Sequence, residues 1–235
     1  MSPNTIRIVV IDDHLIARQG IIGLLRSNPN IEVVAEGWAG EHVLSLLQTY
    51  KPDVLLTDLQ MPMWADKPSG PLFSPLTILQ QAIKSYPQTA VIVISQEQDV
   101  YLVSNLAEVG VKGYFLKSDN FTETLGVVVQ QIYEGGAYFS PIIVKIIEAA
   151  PLLKRELPLS NAEMNVLRAL LRWPELSRKA QAELLYISHN TLQKHITSII
   201  AKLNVPNVES CRVKAMRMGM VYKGETVETP TEQND

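Results

Sequence analysis

The sequence predicts an α/β protein with a doubly wound, five-stranded parallel sheet and a second, smaller all-α domain. Short apolar runs alternate with helical segments over the first 134 residues, and only helical spacing follows residue 158. Charge divides the chain in the same way, with a net charge of −6 over residues 1–151, +6 over 152–222 and −3 over 223–235. This asymmetry between the halves indicates an acidic module joined to one that binds nucleic acid.

The five predicted strands are short apolar runs rich in β-branched residues, the pattern of strands buried on both faces. They are Ile6–Ile11, Ile31–Ala35, Val54–Thr57, Val91–Ser95 and Gly113–Leu116. A predicted helix with apolar residues at helical spacing follows each strand. These helices are Leu15–Leu25, Glu41–Leu47, Leu76–Ile83, Tyr101–Val109 and Phe121–Tyr133. Because a helix connects each strand to the next, we expect the strands to be parallel.

Polar side chains stand where four of these strands end. Asp12 and Asp13 follow the first strand, Asp58 follows the third, Ser95 ends the fourth and Lys117 follows the fifth. Three carboxylates at one sheet edge repel each other unless a cation neutralises them, and oxygen ligands suit Mg²⁺. A lysine and a hydroxyl there would hold phosphoryl oxygens, so the pattern predicts an aspartyl phosphate with Asp58 as nucleophile. Taken singly, each aspartate could instead be a helix N-cap or a turn residue.

Over residues 5–134 the chain resembles the receiver domain of response regulators, a flavodoxin-like fold, through the stretches VVIDDH, LLTDLQMP, VIVIS and GYFLKSD. The resemblance implies phosphorylation on Asp58 by a histidine kinase and a switch surface on the fourth and fifth helices. Mg²⁺ would be held by Asp12, Asp13, Asp58 and Gln60. The implied phosphate-binding and switch residues are Ser95, Tyr114 and Lys117.

Two features bear on the class of protein. Residues 63–75 (MWADKPSGPLFSP) are an expected insertion of about ten residues beside Asp58, which caps the site, contacts a partner or is an inert loop. Haloacid-dehalogenase-type phosphatases also use an Asp nucleophile, Mg²⁺ and a Lys, but they need a DxD motif after the first strand. Here Asp12 and Asp13 are followed by His14, so we predict that the chain is not an enzyme.

The second half is predicted to be a linker (135–157), a four-helix domain (158–222) and a disordered polar tail (223–235). Ser160 and Glu163 form a capping-box pattern. Two helices that meet at a tight turn, 178–185 and 189–203, predict a helix-turn-helix, with base contacts from the second helix and phosphate contacts from the start of the first. The predicted DNA-binding residues are Ser177, Arg178, Lys179, Ser188, His189, Asn190, Thr191, Gln193, Lys194 and Thr197.

Residues 157–222 resemble the LuxR/NarL-type DNA-binding domain through LSNAEMNVLRALL and ISHNTLQKHITSIIAKLNV. The resemblance implies double-stranded DNA as a partner and an active homodimer whose surface includes Val208, Cys211, Arg212 and Ala215. Gln181 and Gln193 stand where the family usually has an apolar residue and a lysine. The alternative is therefore an atypical receiver protein that acts through protein contacts or independently of phosphorylation.

Composition indicates a protein with buried cores and limits the cellular compartment in which it folds. Hydrophobic residues make up 46% of the 235 residues, enough for buried cores. The single cysteine, Cys211, excludes an intramolecular disulfide framework and favours a reducing, cytoplasmic compartment. The chain shows neither the length of apolar sequence that a membrane span needs nor a signal-peptide pattern, so we expect no membrane association.

Overall fold

The computed structural model describes residues 5–67, 73–156 and 159–217. The chain divides into two compact units, Met1–Glu156 and Leu157–Asp235. The predicted tail (223–235) and residues 68–72 of the expected insertion lie outside the described residues.

The first unit contains one parallel sheet. Its strands are β1 (Ile6–Ile11), β2 (Ile31–Gly37), β3 (Val54–Thr57), β4 (Ala90–Ser95), β5 (Gly113–Leu116) and β6 (Tyr138–Phe139), arranged in the order β2-β1-β3-β4-β5-β6. The prediction of a doubly wound parallel sheet is confirmed, but the number of strands is corrected from five to six. The sixth strand has two residues, too few to produce an apolar run, and it lies within the predicted linker.

The described residues of this unit form six helices: α1 (Leu15–Arg26), α2 (Glu41–Tyr50), α3 (Pro75–Ser85), α4 (Val100–Glu108), α5 (Leu125–Tyr133) and α6 (Pro141–Glu156). Successive strand residues point to opposite faces of the sheet, which gives two apolar layers. Ile8 and Val10 pack with α1 and α5. Val9 and Ile11 face the layer that contains α2, α3 and α4.

Helix α6 packs on α4, although its residues were predicted to belong to a linker. Ile143 of α6 is fully buried in the core that contains α4. As a result α4 is enclosed on several sides, and Tyr101, Val103 and Ser104 are all buried. Helix α6 therefore covers part of the surface of α4, one of the two helices on which the resemblance implies a switch surface.

The second unit is helical, as predicted, with α7 (Asn161–Arg172), α8 (Arg178–Leu184), α9 (His189–Leu203) and α10 (Val208–Arg217). The side-chain oxygens of Ser160, Ser177 and Ser188 each accept a backbone N–H at the start of a helix. Asn204 ends α9 in the left-handed conformation, with φ of 50°. The buried side chains of the second unit include Leu167, Leu170, Leu192, Ile199 and Leu203.

Glu163 joins α7 to α9. Its carboxylate accepts hydrogen bonds from the Ser160 backbone N–H (2.7 Å), the Ser198 hydroxyl (2.6 Å) and the Lys202 ammonium (2.7 Å). Burial by itself raises the pKa of Glu163, but these hydrogen bonds outweigh it and lower the pKa from 4.5 to about 2. The ionised form of Glu163 is therefore the form that stabilises the helical unit.

We expect Glu163→Gln to lower the free energy of unfolding of the helical unit by about 2 kcal/mol near neutral pH, because it loses charge-assisted hydrogen bonds. The folded pKa is depressed, so the wild-type contribution is present above pH 4.5 and falls as the pH drops towards 2. Urea unfolding measured at a series of pH values would show this loss in the wild type and a weaker one in Glu163→Gln. The exposed Glu175→Gln is the control, and an unchanged pH dependence in Glu163→Gln would contradict the prediction.

Candidate functional site

The carboxyl ends of the central strands bring the predicted residues together. Ile11 of β1 pairs with Thr57 of β3, so the residues that follow them, Asp12 and Asp58, lie side by side. The pairing of β4 with β5 places Ser95 beside Leu116, and the Lys117 backbone N–H donates to the Ser95 carbonyl at 2.9 Å. Strand register thus assembles the site from the ends of four strands, β1, β3, β4 and β5.

Lys117 bridges two buried carboxylates. Its Nζ lies 2.8 Å from Oδ2 of Asp12 and 2.7 Å from Oδ2 of Asp58. Asp12 is 1% exposed and Asp58 is 3% exposed, so both charges are largely removed from water. Burial of the ammonium lowers the pKa of Lys117, but the hydrogen bonds and charges of Asp12 and Asp58 outweigh that effect and raise it. Oδ1 of Asp58 accepts the Leu59 backbone N–H at 2.6 Å.

The acidic cluster fits a divalent cation. Asp12, Asp13, His14 and Asp58 each offer a ligand atom, and these atoms lie within 4.8 Å of one another. Burial raises the pKa of Asp13, the protonated-imidazole charge of His14 would lower it, and the charges of Asp12 and Asp58 raise it further. Three carboxylates and one lysine leave an excess of negative charge that a hard cation such as Mg²⁺ matches. Gln60 follows Asp58 by two residues and is half-buried.

Ser95 and Tyr114 meet at the loop between β4 and α4. Ser95 is fully buried, and its Oγ accepts the Glu97 backbone N–H at 3.4 Å. The Tyr114 hydroxyl donates to the Glu97 carbonyl at 2.7 Å. Burial, with added repulsion from the carboxylates of Glu97, Asp58 and Asp99, holds the pKa of Tyr114 well above its usual range. The loop that follows Ser95 is therefore tied to β5, the strand that leads into Lys117.

Three residues beside this site were missed by the sequence analysis. Ser140, at the start of α6, lies 3.0 Å from the Tyr114 carbonyl and also hydrogen-bonds to the Asp119 carboxylate. Asp119 accepts the Leu116 backbone N–H at 3.1 Å, so α6 is tied to the loop that carries Lys117. Arg18, on α1, contacts the backbone of Asp12. Asp119 stands two residues after Lys117 in the stretch KSD, which is a weak signal; for the other two only the fold shows the contact.

The described part of the expected insertion packs against the start of α2. The Gly40 and Glu41 backbone N–H groups donate to the carbonyls of Pro62 and Met63 at 2.9 Å each, and Glu41 accepts the Ala65 N–H at 2.7 Å. A Cβ at position 40 would lie 2.5 Å from the buried ring of Phe73, so glycine permits this close approach. The ends of the insertion are thus anchored to the body of the unit.

Helix α9 exposes the polar residues that were predicted to bind DNA. His189, Asn190, Gln193 and Lys194 are exposed on its first two turns, and Thr197 one turn further on. The hydroxyls of Ser177 and Ser188 cap α8 and α9, since they accept backbone N–H groups of Ala180 and Thr191. Thr191 is half-buried and its Oγ1 hydrogen-bonds to the Ser188 hydroxyl at 2.8 Å. Lys179 is exposed at the start of α8, where Arg178 is half-buried.

Gln181 is buried, but its polar atoms are paired. Its Nε2 donates to the Trp173 carbonyl at 2.7 Å, and its Oε1 accepts a hydrogen bond from Arg178 at 2.6 Å. The departure from an apolar residue at this position is therefore accommodated by hydrogen bonds, since a buried amide is costly when unpaired.

The residues predicted for a dimer surface are mostly engaged within the unit. Cys211 and Ala215 are buried, so their assignment to a surface is corrected: they pack α10 into the core. Arg212 donates to the carbonyls of Leu170 (2.8 Å) and Pro174 (3.2 Å), which belong to the end of α7 and the turn after it. Val208 is half-exposed. Periodicity could not separate these roles, because one helix face can pack on its own domain or on a partner.

The family model of the response regulator receiver domain matches residues 8–128. The transcriptional regulatory protein DegU of Brevibacillus brevis is 31% identical over 94% of this chain and 97% of its own length. The chain belongs to the two-component response regulators of the LuxR/NarL type. The oxygen regulatory protein NreC of Staphylococcus aureus is 28% identical over 85% of this response regulator and 91% of that protein.

Solved structures show the same fold. RcsB from Salmonella enterica serovar Typhimurium, bound to promoter P1flhDC with the phosphomimetic BeF3−, has a TM-score of 0.65 at 22% identity and covers 92% of this response regulator and 98% of that chain. A LuxR-family response regulator from Aurantimonas has a TM-score of 0.54 at 25% identity over 63% of this chain and 99% of that one. Within the described residues, no helix has the length and apolarity needed to cross a membrane.

The bridge from Lys117 to Asp12 and Asp58 should weaken the binding of Mg²⁺. We expect Lys117→Met to bind Mg²⁺ at least about 5-fold more tightly than the wild type, because it removes a positive charge from beside the carboxylates. Isothermal titration calorimetry at neutral pH measures the affinity. Lys112→Met, at an exposed lysine just before β5, is the matched control and should bind as the wild type does. Equal affinity in Lys117→Met would show that the bridge does not compete with the ion.

Proposed function

We propose that this response regulator is a transcription factor whose sequence-specific binding to DNA is controlled by phosphorylation on Asp58. The observation that carries the proposal is the buried bridge from Lys117 to Asp12 and Asp58, beside the half-exposed Asp13. A buried carboxylate next to a fixed cation and a cluster of metal-ligand oxygens is what attack on a phosphoryl group requires. The proposed phosphodonor is a histidine kinase or a small phosphorylated molecule.

The proposed reaction is the transfer of a phosphoryl group to a carboxylate. An Asp58 oxygen forms a bond to phosphorus while the donor's bond to phosphorus breaks, and the donor leaves with the electron pair. Asp12, Asp13, Asp58 and the Gln60 carbonyl would hold Mg²⁺, which would neutralise the charge of the phosphoryl oxygens. Lys117 already touches Asp58 Oδ2 at 2.7 Å, so its ammonium can follow those oxygens. The Ser95 hydroxyl supplies a further hydrogen bond.

The path from the site leads to α6. A phosphoryl group on Asp58 would contact Ser95, at the end of β4, and Lys117, after β5. The hydrogen bond from Tyr114 to Glu97 joins β5 to the loop that follows β4. The loop that contains Glu97 leads into α4, on which α6 packs. Ser140 connects the start of α6 to β5, and α6 ends at Glu156, where the second unit begins. We therefore propose that the signal reaches the DNA-binding unit through α4 and α6.

The proposed output is contact between α9 and the major groove of double-stranded DNA. Residues 152–222 carry a net charge of +6, and α9 exposes His189, Asn190, Gln193 and Lys194. Asn and Gln can read adenine edges, and Lys can bind guanine or phosphate. An active homodimer on a two-fold site, with Val208 at its surface, and a cytoplasmic location where the DNA is accessible are parts of the same proposal.

Asp58→Asn tests the phosphoacceptor. We expect it to abolish acid-labile, Mg²⁺-dependent labelling by acetyl phosphate, because the neutral amide of asparagine lacks the negatively charged oxygen that attacks phosphorus. Asp66→Asn, at an exposed aspartate of the nearby loop, should label as the wild type does. Undiminished labelling of Asp58→Asn would refute the assignment.

DNA binding is tested by selecting sites from a random library and measuring gel shifts over a range of salt. We expect Lys179→Ala to reduce the slope of log affinity against log salt by about one, because it removes one phosphate contact. Gln193→Ala should relax the preference for one base pair of the selected site. Lys84→Ala, at an exposed lysine of the receiver, is the control. If neither the phosphorylated nor the unphosphorylated protein gives a specific shift, the protein acts through protein contacts instead.

A further inference from the structure

Arg18 is a buried arginine that the proposed phosphotransfer chemistry does not use. It lies one turn into α1 and is 7% exposed. One of its terminal nitrogens donates to the backbone carbonyl of Asp12 at 2.6 Å, and its Nε donates to Oε2 of Glu36 at 2.8 Å. The guanidinium carbon lies 5.9 Å from the centre of the Trp38 ring. A buried guanidinium with partners on three sides has a fixed orientation.

The carbonyl that Arg18 holds belongs to the peptide bond between Asp12 and Asp13. Fixing that peptide plane fixes the direction in which the backbone delivers both side chains. Asp12 is held in addition by its N–H, which donates to the Gly37 carbonyl at 3.1 Å, and by its Oδ1, which accepts the His14 N–H at 2.8 Å. The Asp13 side chain is half-exposed and hydrogen-bonds to the exposed His14 ring. Its position therefore depends on the peptide plane that Arg18 holds.

The charge of Arg18 is neutralised by Glu36, which is not one of the residues of the acidic cluster. An unpaired guanidinium near three carboxylates would repel a divalent cation. Glu36, near the end of β2, pairs with Arg18, so the pair directs a hydrogen-bond donor at the Asp12 carbonyl with little net charge. A lysine could not do the same, because its ammonium is a point charge without the planar fork of arginine.

We propose that Arg18 is a positioning residue that orients the Asp12–Asp13 pair and thereby sets the affinity of the receiver for Mg²⁺. This inference rests on the proposed function, because it assigns Mg²⁺ to that site. Residues that orient metal ligands change metal affinity about 10-fold or more when they are replaced. Arg18 acts through the backbone of the ligands and does not itself touch the ion or the phosphoryl group.

Two substitutions separate positioning from charge, because the two effects predict different results. If Arg18 acted by charge alone, Arg18→Gln would bind Mg²⁺ more tightly and Arg18→Lys would bind it as the wild type does. Positioning predicts that both variants bind Mg²⁺ about 10-fold more weakly. Arg26→Gln, at an exposed arginine at the end of the same helix, is the control and should leave the affinity unchanged.

The experiment is a calorimetric titration of the full-length protein with MgCl2, at a temperature where circular dichroism shows each variant folded. Weaker binding in both Arg18 variants supports the proposal, as does recovery of acetyl phosphate labelling of Arg18→Lys at saturating Mg²⁺. Unchanged or tighter binding in either variant overturns it. If the wild type itself binds no Mg²⁺, or binds it equally well as Asp13→Asn, the proposed function fails instead.

Discussion

The first unit is organised around a cluster of like charges that must be held close together in a place with little water. Asp12 and Asp58 are almost fully buried, and such carboxylates are costly unless they are paired. Lys117 pairs with both of them, and Asp13 adds a third carboxylate whose ligand atom lies within 4.8 Å of theirs. Because β1, β3 and β5, which supply these residues, are parallel strands of one sheet, the register of the sheet determines whether the cluster forms.

The surroundings of this cluster are connected to it by hydrogen bonds. Arg18 holds the backbone of the acidic pair from one side, and Asp119 and Ser140 hold the end of β5 from the other. Tyr114 joins β5 to the loop before α4. The proposed phosphorylation of Asp58 would change the charge beside groups that are already linked to α4 and α6.

Much of the receiver and its candidate site follows from local patterns. Apolar runs such as Ile6–Ile11 predict buried strands. The polar residues at the ends of these runs, which predict the site, are Asp12, Asp58, Ser95 and Lys117. The site could be predicted because parallel strands end at one edge whatever else they contact. Strand β6 was not predicted, because a two-residue strand has no periodicity. The residues of α6 were assigned to a linker with a short helix over Ile142–Ile147, because only the packing on α4 makes α6 part of the receiver.

By itself, the sequence determined the fold class, the acidic and basic halves, the helix cap at Ser160, and the polar residues that the strand ends bring together at one edge of the sheet. Only the tertiary structure decided that Arg18 is buried against Asp12, that Gln181 is hydrogen-bonded in the interior and that Cys211 and Ala215 face inward. Local spacing shows which face of a helix a residue occupies. It does not show which neighbour covers that face, because that neighbour comes from a distant part of the chain.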